Sequence, residues 1–185
     1  MGVPALMFRK AVFLDRDGVL NKAVERDGKS YPPPDAASME IYPEAPEAVA
    51  ALRKAGYLAI CVTNQPDVAR GTRSMTGVEA MNQKVLQALR LDDIRTCPHD
   101  DSDACPCRKP RPGMLLAAAE TWGVDLAASW MVGDRKSDIA AGRAAGCRTV
   151  FIDRRYAEGG PEHPADHTCR SVADAAAFIL QNNTI

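Results

Sequence analysis

The chain has 185 residues, of which 46% are hydrophobic, enough for a substantial core within one domain spanning residues 1–185. A net charge of −1 without any Lys/Arg block argues against a nucleic-acid partner, and no apolar run approaches membrane-spanning length. The opening stretch MGVPALMFRK has no apolar signal core, so a cytoplasmic protein is expected, where structural disulfides are rare.

In chain order, apolar runs predict strands over Lys10–Leu14, Leu58–Thr63, Ile94–Cys97, Ser129–Val132 and Thr149–Ile152. Helical patterns fall over Glu44–Ala55, Met75–Arg90, Gly113–Trp122, Ser137–Ala145 and Val172–Gln181. Gly56, Gly123 and Gly146 follow helices where left-handed caps are wanted, and Pro112 is placed to open one. Strands alternating with helices predict an α/β fold, a parallel sheet covered by helices on both faces. The stretch Gly18–Pro43 is too long for an ordinary connection and contains Pro32–Pro34, so it reads as a semi-rigid flap. No insert is large enough to fold as a separate cap.

In such a sheet, ligands collect outside the carboxyl ends of the strands. DRDG follows the first predicted strand, TNQ the second and GDRKSD the fourth, which puts three polar motifs on one edge. Buried strand ends make carboxylates costly to desolvate, and magnesium is the usual compensating cation for hard oxygen ligands. Asp15 can attack phosphorus as a nucleophile, and Asp17 can act as general acid and base. Gly18 permits the tight turn between them. An acidic turn would use the same residues; agreement among the three strand-end motifs favours chemistry.

Thr63 offers a hydroxyl to phosphoryl oxygens, although a strand-ending threonine also needs no ligand. Lys109, in CRKPRPG, can neutralise the phosphate and Asp15. Asp134 would complete the magnesium site with Asp15 and a backbone carbonyl, most naturally that of Asp17. Asp138, one helical turn on, either braces that site or serves the electrostatics of a helix N-terminus.

FLDRDG, VTNQ, RKP and VGDRKSD together resemble the motifs of the haloacid dehalogenase superfamily, in order and across nearly the whole chain. The resemblance implies a Rossmann-like domain and magnesium-dependent phosphoryl transfer through an aspartyl-phosphate.

Residues 97–107 place Cys97, His99, Cys105 and Cys107 within eleven positions. Three thiols and an imidazole suit a closed, structural zinc site, and the flanking DDSDA segment is too polar to bury thiols without a metal. Zinc would order the loop and fix Arg108 and Lys109 at the active edge. Asp100, Asp101 and Asp103 read as solvated loop residues; Cys61, Cys147 and Cys169 read as small core residues.

The zinc loop narrows the resemblance to the heptose-1,7-bisphosphate 7-phosphatase family, in the histidinol-phosphatase subgroup. What that implies is a 7-phosphatase for a small sugar bisphosphate, with Asp15 as nucleophile, Asp17 as acid/base, and Thr63 and Lys109 stabilising the phosphoryl group. Arg108 would recognise substrate, and Asn64 and Gln65 would line the site. Arg135 would join them at a position where the family commonly has lysine. Magnesium falls to Asp15, Asp17 and Asp134. TNQPDVARG replaces the familiar TNQSGIARG, the zinc loop is shorter, and the flap carries SYPPPDAAS. These departures surround the sugar and favour the α-anomer slightly. Histidinol-phosphate phosphatase is the alternative within enzymes, and a phospho-acceptor receiver the alternative outside them. The polar surface suggests a monomer.

Overall fold

The computed structural model describes residues 8–183, so residues 1–7 of the stretch read as lacking a signal core lie outside it. Eight strands run in chain order: β1 (Lys10–Leu14), β2 (Val24–Arg26), β3 (Lys29–Tyr31), β4 (Tyr57–Asn64), β5 (Asp93–Cys97), β6 (Trp130–Gly133), β7 (Arg148–Ile152) and β8 (His167–Cys169). Five α-helices alternate with them: α1 (Ala45–Lys54), α2 (Met75–Leu89), α3 (Gly113–Trp122), α4 (Lys136–Ala145) and α5 (Val172–Gln181).

Six strands form one parallel sheet in the order β5-β4-β1-β6-β7-β8. Both faces are covered, so β1, β4, β6 and β7 have near-continuous apolar runs whose residues alternate between two cores, while the edge strands β5 and β8 are more polar. Val12, Leu14, Ala59, Cys61 and Val132 face one core with α1, α2 and α5; Ala11, Phe13, Ile60, Val62 and Met131 face the other with α3 and α4. Helix bounds agree with the sequence pattern within a residue or so. Gly56, Gly123 and Gly146 all take positive φ at helix ends, as their positions suggested.

The structure adds three strands that hydrophobic periodicity did not mark. β2 and β3 form an antiparallel hairpin inside the 18–43 flap, where short polar strands offer no apolar alternation. β8 extends the sheet edge with His-Thr-Cys, again too short and polar to read as a strand.

The chain leaves β1 with β4 on one side and β6 on the other, each parallel to it. This is the reversal of strand order at which doubly wound sheets bind ligands. The ends of β1, β4 and β6 are therefore neighbours, and their polar motifs converge.

Candidate active site

Asp15 follows β1, and its backbone N–H donates to Val132 O of β6 at 3.0 Å, fixing one strand end against the next. Asp15, Asp134 and Asp138 are all buried, and each can bring a carboxylate oxygen within 4.8 Å of the other two. Gly18 belongs to this arrangement: its φ is +96°, and a Cβ there would lie 1.9 Å from Asp134 Oδ2. Gly133 likewise leaves the room that the Asp138 side chain occupies. Glycine is thus required twice, by backbone conformation and by space.

Lys109 is buried among these acids. Its ammonium donates to Asp15 Oδ1 at 2.6 Å, Asp138 Oδ1 at 2.8 Å and Val62 O at 2.6 Å. The two carboxylates hold its pKa above the ordinary lysine value despite the opposing effect of burial. Burial, aided by the neighbouring acids and opposed by Lys109, pushes Asp15 up to about 6. Burial also raises Asp134 well above the usual carboxylate range. The Tyr156 hydroxyl is close enough to influence Asp134, yet neither of its buried carboxylate oxygens makes a hydrogen bond. Two orphaned oxygens beside a second acid are the donor set a hard divalent cation satisfies. The residues present fit magnesium.

Asp17 is arranged differently. Its carboxylate lies outside the three-acid group and accepts from Arg16, Asn21 and Gln65, so any contribution to a cation falls to its backbone carbonyl. Burial would raise its pKa, but the Arg16 guanidinium and these hydrogen bonds hold it below the usual range. Asp138 stands beside Asp15 and Asp134, and its Oδ2 also accepts from Arg135 N at 3.0 Å at the start of α4, the helix-terminus contact the sequence offered as one of two readings.

A cavity of about 310 Å³ opens over these groups, lined by Asp15, Asp17, Thr63, Asn64, Lys109 and Asp138 among others. Arg108, Arg135 and flap residues Lys29, Ser30 and Tyr31 also line it. Asn64 accepts from Lys109 N at 3.1 Å and donates to Lys109 O at 3.0 Å, anchoring the lysine's backbone. Arg135 reaches across to Ser30, donating to its carbonyl and hydroxyl, and so ties the flap to the start of α4. Arg108 donates to Asp101 at 2.7 Å and to His99 O.

Two expectations need correction. Gln65 does not line the cavity: it is fully buried, and its amide donates to Asp17 Oδ2 and Thr63 Oγ1, both at 2.9 Å. It sits one residue past the β4 end, turned inward. Asp100 is not a solvated loop residue, because its largely covered carboxylate pairs with Arg70 across the loop; Asp101 is solvated as expected, while accepting from Arg108.

The cysteine loop closes on itself. Cys107 Sγ lies 3.2 Å from Cys97 Sγ, 3.4 Å from Cys105 Sγ and 3.3 Å from His99 Nδ1; Cys97 Sγ is 3.6 Å from Cys105 Sγ and from His99 Nδ1. A tetrahedral zinc–thiolate site with bonds of about 2.3 Å has edges of roughly 3.8 Å. These five separations are slightly tighter than that, all four donors lie within 4.8 Å of one another without a disulfide among them, and they could hold a metal. Cys61 and Cys147 are buried as expected; Cys169 is only half-buried, with its thiol on Ser171 O.

Sequence reasoning did not single out Arg16 or Tyr156. Arg16 adjoins Asp17 in the chain, but only the fold buries it and turns its guanidinium onto that carboxylate, and only the fold brings Tyr156 to Asp134.

A doubly wound parallel sheet with acids, lysine and threonine gathered at its carboxyl edge defines a hydrolase of the haloacid dehalogenase type. A family model described as HAD-hydrolase-like matches residues 106–175. The D-glycero-β-D-manno-heptose-1,7-bisphosphate 7-phosphatase of Pseudomonas aeruginosa is 38% identical over 79% of this chain and 82% of its own. The enzyme of that name from Pseudomonas putida is 37% identical over 93% and 98%. A crystal structure of D,D-heptose 1,7-bisphosphate phosphatase from B. bronchiseptica, complexed with magnesium and phosphate, superposes with a TM-score of 0.80 at 33% identity. It covers 94% of this chain and 99% of that one. The chain belongs to the HAD-like phosphatases and, among them, to the heptose-bisphosphate phosphatase family.

Proposed function

We propose that the protein removes the 7-phosphate of D-glycero-D-manno-heptose 1,7-bisphosphate through an aspartyl-phosphate on Asp15. The observation that carries this reading is the buried Lys109 ammonium, shared between Asp15 and Asp138 beside the two unpartnered oxygens of Asp134. That arrangement leaves a nucleophilic carboxylate facing a cavity of about 310 Å³, with cationic groups in place for a phosphoryl anion.

The chemistry divides into two steps. Asp15 attacks phosphorus, the bond to the sugar oxygen breaks, and Asp17 donates a proton to that leaving oxygen. Asp17 then takes a proton from the water that attacks the aspartyl-phosphate, releasing inorganic phosphate and restoring Asp15. Its lowered pKa keeps it ionised and free to accept that proton, although it leaves a weaker base than an ordinary carboxylate. A phosphate dianion arriving beside it adds like charge and raises its proton affinity, which supplies the acid form. Lys109 and Thr63 hold the phosphoryl oxygens. Arg108 and Asn64 contact substrate, and Arg135 divides its donors between substrate and the flap. Magnesium, held by Asp15, Asp134 and the Asp17 carbonyl with Asp138 adjacent, would neutralise charge on the transferring group. Zinc, held by Cys97, His99, Cys105 and Cys107, would have a structural role.

The named relatives act on the β-anomer, and the expectation of an α-preference has no support among them. Phosphate release measured on both heptose 1,7-bisphosphate anomers and on histidinol phosphate tests the assignment. A higher kcat/KM for either heptose bisphosphate is expected. Faster turnover of histidinol phosphate would replace the substrate, and near-zero release from all three would point to a receiver.

A further inference from the structure

Asp17 must present one carboxylate oxygen to the leaving group, yet nothing in the D-x-D-G motif itself fixes that rotamer. Four hydrogen bonds do. Arg16 donates from Nε and Nη2 to the two carboxylate oxygens at 3.3 and 3.0 Å, Asn21 donates at 3.0 Å and Gln65 at 2.9 Å. Arg16, Asn21 and Gln65 are each fully buried. A guanidinium fork gripping both oxygens sets the plane of a carboxylate as well as its charge.

The fork is itself held. Its remaining terminal nitrogen, Nη1, donates to Asn82 Oδ1 at 2.8 Å, and Asn82 Nδ2 donates to Thr96 Oγ1 at 2.9 Å. Asn82 belongs to α2 and Thr96 to β5. We infer that Asn82 is a positioning residue for the reaction, acting through Arg16 to hold Asp17 in line with the leaving oxygen. This rests on the role proposed above for Asp17. Removing the Asn82 acceptor leaves a buried guanidinium N–H unsatisfied, and Arg16 must rotate or draw in water to recover it. Either movement takes the fork off the Asp17 plane; outer hydrogen-bond partners that orient metal ligands matter by about 10–100-fold, and a loss at the lower end of that range is expected here.

A misplaced general acid has a signature that general destabilisation lacks. An alkyl phosphate needs its leaving alkoxide protonated; p-nitrophenyl phosphate expels a stable phenolate without help. Because kcat/KM reports steps up to leaving-group departure, the two substrates separate the acid role from everything later. In the magnesium-loaded enzyme, Asn82→Leu is expected to lower kcat/KM for heptose bisphosphate by about tenfold while changing that for p-nitrophenyl phosphate by less than about twofold. Asn82→Asp keeps an acceptor for Arg16 and should stay within about threefold of the parent on both substrates.

Equal losses on both substrates, no loss on either, or an Asn82→Asp variant as selective as Asn82→Leu would overturn the proposal. Asp17→Asn in the same assay is the reference. If it shows the alkyl-selective loss and Asn82→Leu does not, only the inference about Asn82 fails. Should Asp17→Asn lack that selectivity, the acid assignment falls and the positioning role with it.

Discussion

At the scale of single residues, burial decides what each acid can do. Asp15 has a lysine partner, whereas Asp134 has two buried oxygens with none, and Asp17 has a surplus of donors. Three carboxylates in one small volume therefore begin with different proton affinities, a separation expected where acids have distinct tasks. Asp15→Asn preserves the shape and a hydrogen-bond acceptor but removes the nucleophile, so phosphate release should become undetectable while the circular dichroism spectrum is unchanged. Retained turnover would exclude Asp15. Asp17→Asn should slow turnover by roughly 10²–10⁴-fold, measured under saturating substrate, and a near-normal rate would remove it from acid–base work. The convergence of Asp15, Asp17 and Asp134 was legible because each follows an apolar strand in a short motif, and that of Lys109 because CRKPRPG directly follows the cysteine loop. Gln65 was misread for a physical reason: a motif places a residue on an edge but does not say whether its side chain turns outward to the cavity or inward to brace a neighbour. Arg16 carried no signal, since a charged residue beside two acids looks like ordinary surface until the fold buries it.

At the scale of elements, the loop between β5 and α3 combines the cysteine cluster with a network of ion pairs. Asp100 holds Arg70 through two hydrogen bonds of 2.7 Å, and Asp101 holds Arg108 through another. The cysteine cluster and the cavity wall are thus one construction, with Cys107, Arg108 and Lys109 consecutive in the chain. Gly113 closes it: its N–H donates to Pro106 O at 3.1 Å, at a separation that leaves no room for a Cβ. Cys107→Ser replaces one thiol of the cluster by a hydroxyl, a poor ligand for the zinc proposed there. Bound zinc per chain, measured by elemental analysis, should fall clearly below that of the parent, and KM should rise by more than kcat falls because Arg108 loses its support. Unchanged zinc content with unchanged KM would separate the loop from both roles. The cysteine cluster was visible from spacing alone. The flap hairpin was not, because β2 and β3 have three residues each and no alternating apolar face; their register depends on tertiary ties such as Arg135 to Ser30.

For the molecule as a whole, the gathering of acids at one sheet edge links stability to pH and to cations. The folded-state pKa of Asp15, at about 6, lies above its ordinary value of 3.8, and Asp134 shifts in the same direction. Groups shifted this way favour the fold while protonated, fully so below the unfolded pKa, and that contribution is lost as pH rises through the folded value. The metal-free chain should accordingly lose stability as pH climbs from about 4 to beyond 6, the carboxylates repelling one another once ionised. A divalent cation binds only the ionised acids, so it restores what ionisation removes. Magnesium at about 100 times its dissociation constant adds roughly 2.7 kcal/mol, which for a chain of this length raises Tm by about 5–10 °C. Thermal unfolding with and without magnesium should show that increment at pH 7.5 and less than about half of it at pH 5, where protons compete for the same oxygens. Asp134→Asn should abolish the increment at both pH values and raise the Tm of the metal-free chain at pH 7.5, by removing one of three crowded charges. An increment independent of pH, or one that survives Asp134→Asn, would mean that magnesium acts elsewhere on the molecule.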